Sequence, residues 1–600
     1  MTGDEQCNPE KLAALLDKKQ KPKPVAIRPT IRLEAENFDS LENYSPISVG
    51  RQASQNVSVR MSATLKGIVR TEFHEPYSAA SGRYDVTVRY RDEKGGAATF
   101  ALRINGTRQG ESWRSSTNDD AWTTHTIKAV SLARGDMIEV EVTADGSARG
   151  ELDFVQLNYL GLDDPAAMPG QIIVDPANRQ WLKYNGQGHP CFLFGAGNPE
   201  EFFFLGTRQA DGTRAGGMQD KILGKLAGAG ANTFHLIALR DSRYNLEPGN
   251  GAPDSNPFEN ADISGRLDQD ILNQWEGWLK RFEADGTIVL FTFYNDFDDY
   301  EDKAGWKLDA NGNLHPQERY FVETLVNRFK HHKNIIWVIN ESCNKLSRAK
   351  QVRLKKVAAL VAATDNFHHP IMQIFQVLYY DEVHPDKVSP EDYVNDPNVK
   401  VMGWGHYSSF PAKPEKGLPT AAQYYKELVG HVKEAAGRYV LFDMEVDKHP
   451  STGAQSRLYA WTAAMAGVYG AINSHRPDKT AAPRETFEDD GRLRAFMETT
   501  DFFRMSPNSD LKYGSTLYVL ANAPNSYVAY SHSATQNMGI RNLAAGTYLL
   551  RWFDTTDGDT IERMVTISPG DHAWPKPAEM GTEVALYVKR IEGVVLSESK

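Results

Sequence analysis

Eight short apolar runs alternate with amphipathic segments between residues 171 and 505, and this alternation constrains the fold more than any other feature. The runs are CFLFGAG, NTFHLIAL, TIVLFTFYN, NIIWVIN, PIMQIFQV, VKVMGWG, YVLFDME and GVYGAI. The segments between them, such as LNQWEGWLKRFEADG and RYFVETLVNRFKHH, place apolar residues at helical spacing. Eight strand-then-helix units predict a (β/α)8 barrel, also called a TIM barrel, which typically needs about 250 residues plus insertions. A doubly wound sheet is the alternative, but no GxGxxG motif follows the first run.

The sequence on either side of this region has a different pattern. Residues 29–162 alternate apolar and polar residues with period two, as in YDVTVRYRD and MIEVEVTAD, and turn motifs such as EKGG separate the runs. Residues 506–600 show the same pattern in STLYVLANA and GTYLLRWFDTT, while residues 1–28 form a polar lead segment. We therefore predict a multidomain chain in which two antiparallel β-sandwiches flank the barrel, since 600 residues exceed a single core.

Composition excludes several classes of partner and site. The formal net charge is -11 and no basic block occurs, which argues against a nucleic-acid partner. No apolar run approaches the roughly 20 residues of a membrane span, so we expect no membrane partner. Three cysteines offer neither a disulfide framework nor a CxxC metal site. Cys343 lies near Glu341 and is either a thiol nucleophile or, more often at such positions, a buried spectator.

Two of the apolar runs end in carboxylic acids. The run IIWVIN ends in Asn340 and is followed by Glu341, and YVLFDMEVD carries Glu445 with Asp443 two residues earlier. In a barrel, the carboxyl ends of the strands form the mouth where catalytic groups stand. Two carboxylates across one cavity are what glycosidic bond cleavage requires. A single strand-end Glu is more often a salt-bridged surface residue, but two on suitable strands favour an active site.

These stretches resemble a known family. RFKHHKNIIWVINE resembles the strand-four signature of glycoside hydrolase clan A, and GRYVLFDMEV resembles its strand seven. The resemblance implies that Glu341 is the acid/base and Glu445 the nucleophile of a retaining mechanism without a catalytic cofactor. It also implies that Asn340 hydrogen-bonds the sugar 2-hydroxyl.

Further site residues follow from the same resemblance or from their position. His406 and Tyr407 in VMGWGHYSS stand where clan members often bond the nucleophile. His235 occupies a strand-two position where the clan commonly has an Arg, and here Arg240 comes later. The remaining candidates are aromatic or acidic residues near strand ends. Trp404 and Trp461 either stack on a sugar or belong to the core, and Tyr294, Asn295 and Asp296 either contact substrate or are simply solvated.

The flanking regions carry their own resemblances. RLEAENF and ELDFVQLNYL resemble the first and last strands of carbohydrate-binding modules of families 6 and 35. This resemblance implies a structural calcium held by Glu34, Glu36 and Asp153, although plain surface acids are the alternative. Trp113 and Trp122 either form a surface on which a sugar stacks or simply pack within the domain. The C-terminal segment resembles a collagen-binding-type β-sandwich found behind such barrels, which establishes no collagen ligand.

The sequence therefore predicts a retaining glycoside hydrolase acting on a polysaccharide or oligosaccharide. A carbohydrate-binding protein on a barrel without catalysis is one alternative, and an inverting enzyme with Asp443 or Asp296 as base is another. The start MTGDEQCNPEKLAALLDKK shows no export signal. A polysaccharide substrate favours a secreted or periplasmic enzyme whose leader has been removed, and a cytoplasmic enzyme stays open, as does the oligomeric state.

Overall fold

The structure is a computed structural model. It describes residues 30–49, 53–62, 66–73, 82–115, 119–132, 136–144, 148–186, 189–196, 202–239, 256–294, 305–341, 348–376, 396–406, 420–446, 453–471 and 484–591. The chain forms two compact units. The first comprises Met1–Pro165 and Asn185–His189, and the second comprises Ala166–Tyr184 and Pro190–Lys600. The predicted barrel region, 171–505, and the predicted C-terminal domain, 506–600, therefore belong mostly to one unit.

The first unit contains two antiparallel sheets. One has the spatial order Tyr44–Ser48, Val57–Met61, Leu152–Gly161, Gly82–Asp92 and Ala121–Leu132, with Thr30–Glu34 also paired to Leu152–Gly161. The other has the order Ser40–Glu42, Lys66–Glu72, Met137–Thr143, Thr99–Ile104 and Thr107–Arg114. Alternate residues of Gly82–Asp92 are fully buried, as the period-two pattern requires of a sheet with one face in the core. The predicted β-sandwich is confirmed.

The second unit contains a closed barrel of eight parallel strands. In chain order they are β1 Phe194–Ala196, β2 Thr233–Leu239, β3 Ile288–Tyr294, β4 Ile335–Asn340, β5 Ile371–Gln376, β6 Val399–His406, β7 Val440–Val446 and β8 Tyr469–Ala471. Each corresponds to one of the eight predicted runs. Every residue of β2, β3 and β4 is buried, because one face of each strand lines the barrel interior and the other meets helices. The predicted TIM barrel is confirmed.

Seven α-helices are described in this unit, and most connect successive strands. They are α1 Gln219–Leu226, α2 Gln269–Ala284, α3 Pro316–Phe329, α4 Arg348–Thr364, α5 Ala421–Ala435, α6 Gly453–Met465 and α7 Arg484–Glu498. Helix α2 begins after Asp268, whose carboxylate accepts from the backbone N–H groups of Asp270 and Ile271. Pro316 occupies the first turn of α3, where a missing N–H costs nothing. None of the described helices combines the length and apolar character of a membrane span.

Short elements complete the barrel region. Two-stranded sheets pair Ile172–Val174 with Leu182–Tyr184 and Thr207–Arg208 with Arg214–Ala215. Single 3-10 turns lie at Phe202–Phe204, Glu259–Ala261 and Phe502–Arg504. The first of these packs Phe203 flat against Trp275 of α2, with ring centroids 4.0 Å apart.

The C-terminal part of the second unit is a β-sandwich that shares its core with the barrel. Its larger sheet has the order Ser506–Pro507, Tyr518–Asn522, Ser526–Ser531, Val584–Ile591, Gly546–Asp554 and Thr560–Ile567, and its smaller sheet has the order Lys512–Gly514, Met538–Leu543 and Gly570–Trp574. Trp461 of α6 stacks on Tyr530, with centroids 5.1 Å apart. Arg457 of the same helix pairs with Glu583 at 2.8 Å. One continuous apolar cluster therefore runs from the barrel into this sandwich.

Candidate active site

The closed barrel brings the two predicted catalytic positions to one rim. Asn340 is the last residue of β4, and Glu445 lies next to the end of β7. All eight strands are parallel, so their carboxyl ends meet at the same end of the barrel. His406, the last residue of β6, pairs in register with Val446, so it also belongs to this rim. The side chains of Glu445 and His406 lie outside the described part of the structure, as do residues Tyr407 and Asp296.

The backbone at Asn340 and Glu341 is held by both neighbouring strands. Asn340 is fully buried and Glu341 is only 5% exposed. The Glu341 N–H donates to the carbonyl oxygen of Tyr294 on β3 at 3.3 Å. On the other side, Gln373 Nε2 of β5 donates to the Asn340 carbonyl at 2.8 Å. The acid that follows β4 therefore starts from a fixed backbone, which is what a positioned catalytic group requires.

A register shift marks the opposite side of the rim. The pairing between β6 and β7 slips between Trp404 and Gly405, and beyond the slip Gly405 faces Glu445. Bulges of this kind often lie beside active sites, where they re-aim a side chain. Asp443, two residues earlier on β7, is fully buried. It lies deeper in the barrel than Glu445.

His235 lies in the barrel interior and not at the rim. It is the third residue of β2 and is 2% exposed, and its Nε2 lies 2.6 Å from Thr292 Oγ1 on β3. Four residues separate it from the end of β2, which is about 13 Å along a strand. Its described contacts are those of an interior polar pair, so it does not join the set formed by Asn340, Glu341 and Glu445.

The structure corrects the expectation that Trp404 stacks on a sugar. Its indole stacks on His431 of α5, with centroids 3.9 Å apart, and also contacts Phe375 of β5. The ring is therefore turned toward the helix layer, and the residue is only 8% exposed. The alternative interpretation, a core tryptophan, is the one that the structure supports.

Trp461 requires the same correction. It is fully buried on α6 and packs against Tyr530 and Phe553 of the C-terminal sandwich and against Phe496 of α7. No face of the indole is open to a sugar. The residue is part of the joint between the barrel and the sandwich.

The sequence reasoning missed a buried ion pair close to the rim. Glu318 of α3 and Arg353 of α4 form a salt bridge in which both side chains are at most 1% exposed. Tyr294, the last residue of β3, donates its hydroxyl to Glu318 Oε1 at 2.9 Å, and the guanidinium lies 5.6 Å from its ring centroid. This pair therefore anchors the residue whose carbonyl holds Glu341. The only signal in the sequence was a charged residue in an apolar stripe of each helix.

The predicted calcium ligands lie close together in the first unit. The Ser54 hydroxyl lies within hydrogen-bond distance of the carboxylates of both Glu34 and Asp153, and Asp153 also pairs with Arg89. Burial raises the pKa of Glu36, and the neighbouring charges of Glu34 and Asp153 raise it further. Glu36 Oε2 is buried without a hydrogen-bond partner among the described residues. The set is thus rich in negative charge, with one cation already at Asp153.

The tryptophan interpretations in the first unit are partly resolved. Trp113 is 8% exposed and lies between Phe100 and His125, with centroid distances of 5.8 and 4.4 Å. It packs in the sandwich and does not form a sugar platform. Trp122 lies under Arg89, whose guanidinium is 5.1 Å from its ring.

Comparisons with known proteins identify the fold. No protein-family model matches the chain, and no curated protein matches it. A solved structure described as a glycoside hydrolase is 14% identical, with a TM-score of 0.50, over 70% of this chain and 97% of its own. A family 5 glycoside hydrolase from Bacteroides vulgatus gives 14% identity and a TM-score of 0.50 over 71% of this chain and 95% of its own. A family 35 carbohydrate-binding module from Clostridium thermocellum covers 22% of this chain and 98% of its own, at 20% identity and a TM-score of 0.19. The two barrel matches show a shared fold, and the score of the module is too low to support an argument.

Proposed function

We propose that this protein is a glycoside hydrolase that cleaves a polysaccharide or oligosaccharide by double displacement. One observation carries the proposal: Asn340 with Glu341 after β4, and Glu445 near the end of β7, stand at the carboxyl-end rim of a closed eight-stranded barrel. The likeness of the fold to glycoside hydrolases supports it. A polysaccharide substrate would also favour a secreted or periplasmic location.

Each residue has a defined part in this reaction. Glu445 attacks the anomeric carbon and forms a covalent glycosyl-enzyme, while the Glu341 carboxylic acid donates its proton to the leaving oxygen. Glu341, now a carboxylate, then removes a proton from water, and that water attacks the anomeric carbon and releases Glu445. Asn340 would hydrogen-bond the sugar 2-hydroxyl, an interaction that strengthens in the transition state. His406 and Tyr407 would hold Glu445 ionised.

Two alternative functions predict different arrangements of the acidic residues. In a binding protein without catalysis, the two acids would not need to be paired at one rim. In an inverting enzyme, Asp443 or Asp296 would activate water, with carboxyl groups about 6.5 to 9.5 Å apart in place of about 5 to 5.5 Å.

Separate replacement of the two acids tests the mechanism. Glu445→Gln should abolish both steps, while Glu341→Ala should still form the glycosyl-enzyme from a substrate with a good leaving group. On natural substrate Glu341→Ala should lose about 100- to 10,000-fold in turnover, the usual worth of general acid or base help. Azide, which needs no deprotonation, should restore turnover on the activated substrate, and NMR should show a product with retained configuration.

A matched control separates these effects from general damage. Glu323 lies on the outside of α3, where it pairs with Arg319, and Glu323→Ala should leave turnover unchanged. An inverted azide product, or near-normal activity of Glu445→Gln, would reject the assignment and favour Asp443 or Asp296. A polysaccharide screen with product analysis would then define the substrate.

We also propose that Glu34, Glu36 and Asp153 hold a calcium ion that stabilises the first unit. The unpartnered oxygen of Glu36 and the mutual repulsion of the three acids support this, since calcium prefers carboxylate oxygens. Chelation should lower the melting temperature of the intact protein, and Glu36→Gln should remove that sensitivity. An unchanged melting curve together with no calcium by elemental analysis would mean that Arg89 alone neutralises the cluster.

A further inference from the structure

A second cluster of potential ligands lies at the opposite end of the barrel. Glu276 projects from α2, and His331 and His332 occupy the turn between the end of α3 and the start of β4. One ligand atom from each of the three residues lies within 4.8 Å of the others. β4 has six residues, so its length of about 20 Å separates this cluster from Asn340. The cluster is therefore independent of the catalytic rim.

The distances in the cluster suit a small tetrahedral metal ion. Glu276 Oε1 lies 2.9 Å from His331 Nε2 and 3.4 Å from His332 Nε2. Zinc bound at about 2.0 to 2.1 Å to each ligand of a tetrahedron would set neighbouring ligand atoms about 3.4 Å apart. Both distances from Glu276 Oε1 are within about half an ångström of that separation.

His332 is already oriented as a metal ligand would be. Its side chain is 1% exposed, and its Nδ1 lies 2.8 Å from Glu283 Oε2 on the next turns of α2. With Nδ1 held by that carboxylate, Nε2 is the ring nitrogen that faces Glu276 and would bind a metal. No residue in the described ranges hydrogen-bonds this buried Nε2. A carboxylate behind a histidine is the usual outer support of a zinc ligand.

Charge and access also fit an ion at this position. Glu276 is 9% exposed and supplies a carboxylate that would offset part of the charge of a divalent ion. Lys280 Nζ lies 3.3 Å from Glu276 Oε1 and competes with a metal, but its side chain is 65% exposed and free to move into solvent. Arg328 Nε lies 3.6 Å from Oε2, the oxygen facing away from the histidines. His331 is 47% exposed, which gives an ion a route from solvent.

We propose that Glu276, His331 and His332 bind a zinc ion, with water as the fourth ligand and Glu283 orienting His332. The ion would fasten α2 to the segment that leads into β4. Its role is structural, because this end of a TIM barrel carries stability and the other end carries chemistry.

Metal binding to the full-length, chelator-treated protein tests the proposal. One Co²⁺ per chain should give the visible absorption bands of a tetrahedral site, and Zn²⁺ should displace it and raise the melting temperature. His331→Ala should weaken Zn²⁺ binding at least about 100-fold, and Glu283→Gln about 10- to 100-fold, as outer partners of metal ligands usually do. Lys280→Ala should strengthen binding, because it removes the competing cation.

A matched histidine variant identifies the site among the 16 histidines of the chain. His572 lies in the C-terminal sandwich, where it bonds the Ser568 carbonyl, and His572→Ala should bind Zn²⁺ as the wild type does. His331 is solvent-exposed, so His331→Ala should fold. Three results would each overturn the proposal. The first is no Zn²⁺ binding at about 1 mM, a concentration about a thousand times the Kd of a micromolar site. The second is equal affinity in wild type and His331→Ala, and the third is weaker binding by Lys280→Ala.

Discussion

The two ends of β4 are each braced by a buried carboxylate, but the partners of the two carboxylates differ in kind. Near the carboxyl end, Glu318 pairs with Arg353 and accepts from the Tyr294 hydroxyl. Near the amino end, Asp365 pairs with His369 at 2.8 Å and accepts from Trp337 Nε1 at 3.0 Å. Both carboxylates therefore bind an aromatic residue of a barrel strand.

The difference lies in the cation. The guanidinium of Arg353 carries a permanent charge. The imidazole of His369 instead contacts a partner at each ring nitrogen, Asp365 at Nδ1 and the His332 carbonyl at Nε2. The end that carries Asn340 and Glu341 is thus supported by a charged pair, and the opposite end by a ring that is fixed at both nitrogens.

The largest stability effect should come from the arginine pair. Arg353→Met leaves the Glu318 carboxylate buried without its cation, which typically costs about 3 to 5 kcal/mol. Urea unfolding of the purified protein would measure it. The double variant Arg353→Met with Glu318→Leu should regain most of the loss, because no buried charge then remains. A loss below about 1 kcal/mol in the single variant would show that the pair is not a main support of this end.

A smaller effect is expected at the amino end. Asp365→Asn should cost about 1 to 3 kcal/mol, because the ring of His369 loses its charged acceptor. Turnover should be unchanged, since the proposed catalytic rim is distant. Thermal unfolding and hydrolysis of an activated glycoside would measure the two quantities. A strong loss of turnover at unchanged stability would contradict the division of roles between the ends.

The same variant gives a pH test. Burial alone would raise the pKa of Asp365, but the hydrogen bond and charge of His369, with further donors, lower it overall. A depressed folded pKa adds stability that is complete above the unfolded value of about 3.9 and disappears as the pH falls through the folded value. Below about pH 4, the free energy of unfolding of the wild type should therefore approach that of Asp365→Asn. Parallel curves for the two proteins across that range would disprove this contribution.

The smallest effect should come from Tyr294→Phe. This change removes one hydroxyl donor to Glu318 but leaves Arg353 and the Tyr294 backbone carbonyl in place, so about 0.5 to 1.5 kcal/mol should be lost. Turnover should stay close to that of the wild type, because the carbonyl that holds Glu341 is unchanged. A tenfold fall in turnover without a change in unfolding would instead place the hydroxyl in the reaction.

Much of the architecture could be predicted because it depends on local patterns. Strands buried on both faces must be apolar throughout, so IIWVIN and its seven counterparts stand out in the sequence. Asn340 and Glu341 could be identified because a polar pair directly after such a strand has few places to lie except the barrel rim. The period-two pattern of Gly82–Asp92 marked the first sandwich, because a strand with one buried face alternates apolar and polar residues.

The remaining features depend on contacts between distant segments. Trp404 and Trp461 were uncertain because an indole near a strand end or on a helix has the same sequence context whether it meets sugar or a neighbouring helix. Glu318 and Arg353 are 35 residues apart, and although each interrupts the apolar stripe of its helix, nothing in the sequence pairs one with the other. Only the packing of α3 against α4 buries them both, and single-sequence periodicity does not report which faces of two helices meet.

The shared core of the barrel and the C-terminal sandwich limits how this protein can be divided. The sequence pattern changes near residue 505, which suggests a natural cut point, but Trp461 of α6 is covered by Tyr530 and Phe553 from beyond that point. A truncated barrel would present this apolar face, and the Arg457 that pairs with Glu583, to water. The barrel is therefore not a domain that can be separated from the sandwich. Recombination, whether in evolution or in the laboratory, should transfer the whole second unit together.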